Sequence, residues 1–330
     1  MKQALIIGIS GQDGSYLSRL LLNNNYNVTG ITRSLETLNL TGLKYLNIDS
    51  QIVVKEIVDI NKSVLITLLE ETQPDEIYNL ASQSSVGLSF TKAHETVSYN
   101  ILSVLSWLEA IKEVNPKIRF YQASSSEMFG NIGKDKLPLK ESLIFHPASP
   151  YGVSKAAAHW LTVNYREANQ MFCSCGILFN HESPLRGENY VVKKIINSAI
   201  KIKLGIKKDA IKVGNTTIKR DWGYAPKYVE AMWLMLQFNK PDDFIVCSGN
   251  VMSLNELIQN IMKALGLEKD KHIISDSNLL RPVDLDEIYG DNTKAKNLLG
   301  WNYNLSNMDL IKQLIKDEYQ FIEWELARAK

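Results

Sequence analysis

The sequence is short of several things, and each shortage removes a class of protein. It has three cysteines, Cys173, Cys175 and Cys247. That number is too small and odd for a disulfide scaffold, and points to reduced thiols. The Cys173-x-Cys175 pair has no second pair to complete the four ligands of a zinc site, so buried thiols and no metal are expected. No apolar run approaches the roughly 18–20 residues of a membrane span. The opening MKQALIIGIS leads straight into a glycine turn without a cleavable signal pattern, so a cytoplasmic protein without a membrane partner is expected. Charge of one sign is also missing: 37 Lys and Arg face 36 Asp and Glu, a net +1 that excludes a strongly basic nucleic-acid binder. There is no internal repeat, low-complexity tract or obvious linker.

What is present is ordinary globular composition, with 45% hydrophobic and 22% charged residues over 330 positions. Short apolar runs alternate with helical patterns. Ala4–Ile9, Val28–Thr32, Val53–Val58, Glu76–Leu80, Arg119–Ala123 and Cys175–Phe179 read as strands. Tyr16–Leu22, Val64–Glu71 and Val97–Lys112 read as helices between them. This alternation predicts an α/β protein, a Rossmann-like doubly wound parallel sheet. Beyond Asn180 the pattern loosens, and Asn180–Glu188 and Val213–Trp222 read as loops. Leu254–Leu265 and a stripe from Met308 to Ile322 have helical spacing. Residues 1–180 are expected to form a cofactor domain, joined by later segments, and 181–330 a smaller, mainly C-terminal substrate-binding lobe interleaved with it.

Gly8, Gly11 and Gly14 form G-x-x-G-x-x-G after the first strand and at the start of a helix. One glycine permits the tight turn, one lets backbone approach a pyrophosphate, and one lets helix and strand pack closely; the helix N-terminus attracts the anion. The spacing resembles the extended short-chain dehydrogenase/reductase family. After the second strand an NAD site places an acid. Here Arg33 and Ser34 stand instead, a cation and a hydroxyl suited to a 2′-phosphate, so NADP is the expected cofactor.

Tyr151-x-x-x-Lys155 places both side chains on one helix face. A phenol titrates near pH 10, and a neighbouring ammonium together with a positive nicotinamide ring is expected to favour its phenolate. Ser125 closes a strand and offers a hydroxyl to a substrate oxygen. Glu127 is the discriminating residue. A reductase or epimerase has no use for a carboxylate two residues after the hydroxyl, whereas a dehydratase must remove a proton α to a ketone and expel a hydroxyl.

Longer blocks then match: Gly8–Tyr16, Pro74–Ser84, Tyr121–Gly130, Ser149–Lys155, Val163–Ala168, Gly176–Glu188, Lys219–Gly223 and Gly290–Trp301. Over nearly its whole length the chain resembles the GDP-mannose 4,6-dehydratase family, whose members are hydro-lyases. The resemblance implies Ser125, Glu127, Tyr151 and Lys155 as catalytic residues. It implies cofactor contacts at Gly8, Gly11, Gln12, Asp13, Gly14, Arg33, Glu56, Ile57, Leu80, Ala81, Ser82, Gln83, Ser84, Lys155, His181 and Arg186. It implies a GDP-sugar pocket at Ser85, Asn180, Lys193, Gly214, Asn215, Arg220 and Arg281, and a homodimer or homotetramer. The chain departs from the family at Ser85, where histidine is usual, and at Leu185, Tyr224, Asp284 and Glu56-Ile57. Loss of an imidazole at Ser85 keeps a GDP-manno-heptose open as an alternative substrate. A 4-epimerase or reductase is the other enzyme alternative, and a cofactor-sensing binding protein the non-enzyme one.

Overall fold

A computed structural model describes residues 1–280 and 282–328. The first strand shows how the sheet is built. In β1 (Lys2–Ile7), Ala4 and Ile6 join one apolar core while Leu5 and Ile7 join another. A period of two thus buries both faces, which is why the strand reads as a continuous apolar run. Its partners are β2 (Tyr26–Thr32), β3 (Val53–Glu56), β4 (Glu76–Asn79), β5 (Arg119–Ser125), β6 (Cys173–Leu178) and, from much later in the chain, β10 (Asp243–Val246). The order is β10-β6-β5-β4-β1-β2-β3 and every pairing is parallel. The order reverses between β1 and β4, where their C-terminal ends open a crevice.

One face is covered by α1 (Gln12–Asn23), α8 (Ala225–Gln237) and α11 (Thr293–Leu299), whose Leu17, Met232 and Ala295 meet Ile6 and Tyr78. The other carries α3 (Lys62–Thr72), α5 (Ala93–Val114) and α6 (Pro150–Ala168), through Leu65, Trp107 and Ala158. A third core lies outside this sandwich. Its helices are α7 (Val191–Lys203), α9 (Leu254–Leu265) and α12 (Asn307–Arg328), joined by Val192, Ile258, Leu310, Ile311 and Leu314. Ser253 and Glu256 cap α9 reciprocally, and Gly266 ends it at φ +70°. Short helices α2 (Thr41–Tyr45), α4 (Val86–Thr91) and α10 (Lys269–His272) complete the chain path. No described helix is long and apolar enough to cross a membrane.

The two segments read as loops are in part strands. Asn180–Glu182 is β7 and Lys219–Tyr224 is β9, and they pair in parallel. β9 also joins β11 (Val251–Ser253) and β13 (Glu287–Ile288), while β8 (Ile211–Val213) pairs β12 (Ile273–Ser275). Asn-His-Glu and Lys-Arg-Asp show no apolar alternation, because their pairing is set by partners distant in sequence and by ion pairs rather than by an apolar stripe. The rest of the reading shifts by a few residues at element ends.

Candidate active site

The crevice is a cleft of about 1380 Å³. Gly8 turns at φ +91°, and a Cβ there would lie 3.0 Å from Ala81 N. Gly11 N donates to Gly8 O at 3.1 Å. A Cβ on Gly14 would sit 2.4 Å from Gly8 O. Side chains at Gly8 and Gly14 would break the turn, which brings the N-terminus of α1 against the cleft floor. Gly11 caps α1 without a side chain, so the first turn keeps N–H groups for a ligand. This cradle fits the pyrophosphate of a dinucleotide.

The residues next to it join the two lobes. Gln12 Nε2 donates to His181 O at 3.2 Å, and Gln12 Oε1 accepts from the Ser183 hydroxyl at 2.8 Å. His181 Nδ1 donates to Phe179 O at 2.7 Å, and its Nε2 faces the Asp13 carboxylate at 2.9 Å. Burial would raise the Asp13 carboxyl, but the charge and hydrogen bond of His181 outweigh it and hold the group below the usual range.

The catalytic candidates converge on the same cleft: Ser125, Glu127, Tyr151 and Lys155 all line it. Ser125 ends β5, and its Oγ accepts from Glu127 N at 3.2 Å, which fixes the turn carrying the carboxylate. Ser149 Oγ caps α6 by accepting from Gly152 N, and Pro150 opens the helix. One turn apart on α6, Tyr151 and Lys155 sit with Nζ 5.8 Å from the phenol ring centroid. Lys155 Nζ donates to Ala123 O at 2.8 Å, and burial lowers its pKa to about 8. In the chain alone, without the dinucleotide's positive ring, burial acts against the phenolate. Burial pushes the Tyr151 phenol far up, and the hydrogen bond with Ser125 only partly offsets it. The Lys155 ammonium is meanwhile engaged with the Ala123 carbonyl.

Most of the residues singled out from sequence gather around this cleft. Gly8, Gly11, Gln12, Asp13, Gly14, Arg33, Ile57, Leu80, Ala81, Ser82, Gln83 and Ser84 line the cofactor side, with His181 and Arg186 across from them. Ser85, Asn180, Gly214 and Arg220 line it too. The Arg33 guanidinium lies 5.0 Å from the Tyr99 ring centroid. Three residues lie elsewhere. Glu56 accepts from Leu35 N at 2.7 Å, outside the cleft lining. Asn215 Oδ1 is taken by the Thr217 N–H and hydroxyl. Lys193 is buried away from the cleft in an ion pair with Glu318, at 2.6 and 2.8 Å. Arg281 lies outside the described residues.

Sequence reading missed Tyr99, Glu182, Tyr190, Lys194 and Trp222, which also line the cleft. The signal for Lys194 was available: it lies roughly 200° around α7 from Val192, opposite the buried stripe of Val192, Ile196 and Ala199. Among the described residues, His159, Cys175 and Asp243 bring potential ligand atoms within 4.8 Å of one another. Arg166 holds both oxygens of Asp243, at 2.7 and 3.0 Å, and so occupies that site with a cation of its own.

The profile of a family described as GDP-mannose 4,6 dehydratase matches residues 5–314. The chain is 40% identical over 338 residues to GDP-mannose 4,6 dehydratase 1 of Arabidopsis thaliana, covering 99% of this chain and 92% of the relative. It is 38% identical to the human GDP-mannose 4,6 dehydratase, over 97% of this chain and 92% of that one. Identity to the Yersinia enterocolitica enzyme of the same description is 37%, over 97% and 94%. Among solved structures it resembles dTDP-glucose 4,6-dehydratase of Bacillus anthracis in complex with NAD, with TM-score 0.84, 19% identity and 98% of each chain covered. RMD of Pseudomonas aeruginosa complexed with NADPH gives TM-score 0.78 and 22% identity over 97% and 100%. At such identities these two structures bear on the fold.

Proposed function

The chain belongs to the GDP-mannose 4,6-dehydratase family, and from that premise we propose that it is a hydro-lyase converting a GDP-mannose-type substrate to a GDP-4-keto-6-deoxy sugar. The observation that carries the reading is the convergence of Ser125, Glu127, Tyr151 and Lys155 on the cleft that the glycine turn opens. Relatives described as acting on GDP-mannose favour that hexose over the longer heptose. Glu127 favours elimination over simple epimerisation or reduction.

A nicotinamide dinucleotide would be held by Gly8, Gly11, Gly14, Lys155 and Arg186. Arg33 and Ser34 in the cleft favour NADP over NAD. When bound, the nicotinamide ring supplies the reversible two-electron chemistry that oxidises C4 and later reduces C6. The residues then handle protons. Tyr151 Oη, as the phenolate that the Lys155 ammonium and the positive ring of a bound dinucleotide would favour, takes the proton from the sugar O4 and becomes the phenol. The Ser125 hydroxyl donates to the forming carbonyl oxygen. Glu127 takes the C5 proton and returns one to the departing C6 oxygen, which leaves as water. Residues 1–180 with β10 would serve the cofactor, and the later lobe the sugar nucleotide. A homodimer or homotetramer belongs to the same proposal; Leu102 of α5 and Trp160 of α6, 58% and 57% exposed, support it. A cytoplasmic setting rests on the three free, buried cysteines.

The test is turnover of GDP-mannose with catalytic NADP. Mass spectrometry should show loss of one water without lasting NADPH absorbance. Glu127→Gln should slow dehydration by about 10²–10⁴-fold while cofactor still binds. Stoichiometric NADPH accumulation would sink the reading.

A further inference from the structure

Two arginines of this cleft and one outside it are held in different ways. Arg166 is forked onto Asp243, and Arg220 pairs with Asp284 at 3.1 Å. Arg186 has no such carboxylate grip. Its Nε is buried without a hydrogen-bond partner among the described residues, and so is Glu182 Oε2, 4.0 Å away. That gap is too long for a hydrogen bond. The guanidinium is held instead by a ring face: it lies 3.8 Å from the Tyr190 centroid. Tyr190 is in turn fixed across the cleft, its hydroxyl 2.6 Å from Ser84 Oγ. Ser84 follows β4 on the cofactor wall, whereas Tyr190 opens α7 in the other lobe.

A guanidinium laid against an aromatic face keeps its N–H edge for ligand oxygens. Arg186 lines the same cleft as Gly8, Gly11, Gly14 and Tyr151. It therefore stands between the glycine turn and the catalytic phenol, the stretch that the diphosphate and ribose of a bound dinucleotide must cross. We propose that Tyr190 is a positioning residue for the cofactor: latched to Ser84, it holds Arg186 flat so that the guanidinium edge meets the dinucleotide diphosphate. The inference rests on the functional reading above. Its physical content is preorganisation. A free arginine gives up rotamer freedom when it binds phosphate, and the Tyr190 ring has already removed that freedom.

The experiment is fluorescence titration of the full chain with NADPH, without sugar. Tyr190→Leu should weaken NADPH by about tenfold, since it removes the ring under the cation. Tyr190→Phe keeps the ring, and should cost about two- to fivefold, as should Ser84→Ala. The Ser84→Ala/Tyr190→Phe pair should bind no worse than either single variant, because one hydrogen bond is shared. In an Arg186→Met background Tyr190→Leu should cost nothing further, a coupling that general loosening of the loop would not produce. NADPH binding by Tyr190→Leu as tight as wild type, or an undiminished Tyr190→Leu penalty without Arg186, overturns the proposal. Failure of the wild-type chain to bind NADPH at all overturns the functional reading itself.

Discussion

Two buried lysines, one on each lobe, show how the fold separates function from support. Lys155 on α6 and Lys193 on α7 are each 4% exposed. Lys193 meets both oxygens of Glu318 and the carbonyl of Pro184, and Asn197 completes the shell around that carboxylate. Its charge is spent on joining α7 to α12. Lys155 donates to one backbone carbonyl, that of Ala123, and meets no carboxylate at ion-pair distance among the described residues. Its charge stays available to the cleft. The difference teaches that burial alone does not mark a structural lysine: what matters is whether a carboxylate is buried with it.

The comparison can be broken or sharpened by experiment. The largest effect should come from Lys155→Met. Turnover should fall by about 10²–10⁴-fold, with the denaturant midpoint unchanged or raised, because an ammonium without a counter-charge leaves the interior. Lys193→Met should do the reverse, costing about 3–5 kcal/mol in urea unfolding by stranding the Glu318 carboxylate. Adding Glu318→Leu should restore most of that loss, whereas equal losses of stability in both lysine variants would erase the distinction.

A smaller effect should appear with pH. The folded-state pKa of Lys155 is lowered to about 8 from 10.5, so the folded chain sheds this proton first. Its burial penalty is fully present below pH 8 and is relieved as pH rises towards 10.5. The stability of wild type minus that of Lys155→Met should therefore shift towards wild type over that window, by at most about 1.4 kcal/mol per pH unit. The smallest effect belongs to an exposed pair. Lys55 and Glu71 are 2.7 Å apart at the surface, and Lys55→Ala should change stability by less than about 1 kcal/mol. A larger cost there would mean that charge pairing, rather than burial, sets the scale.

Much of this architecture was legible in the residues. The six early strands and the glycine turn could be read because their signals are local: apolar runs bounded by turns, and glycines where a Cβ would collide. Tyr151 and Lys155 follow from helical spacing. β7 and β9 could not be read, because Asn180–Glu182 and Lys219–Tyr224 are largely polar and acquire strand geometry from partners distant in the chain, β7 from β9 and β9 also from β11 and β13. Lys193 and Lys194 differ by one position, yet one is buried against Glu318 and the other lines the cleft. Helical phase separates them, but only the docking of α12 says which face is interior.

By itself the sequence determined the alternation that gives the α/β sheet, the glycine turn and the candidate catalytic groups, since each signal lies within about one turn or one strand. The tertiary structure alone decided which charges remain free to act. It paired Lys193 with Glu318, locked Asp13 to His181 and laid Arg186 against the Tyr190 ring, with the Glu182 carboxylate 4.0 Å away. Its burial of Tyr151 pushes that phenol's pKa up. Charge state depends on desolvation and on partners up to 168 residues away in the chain, and neither is encoded in local spacing.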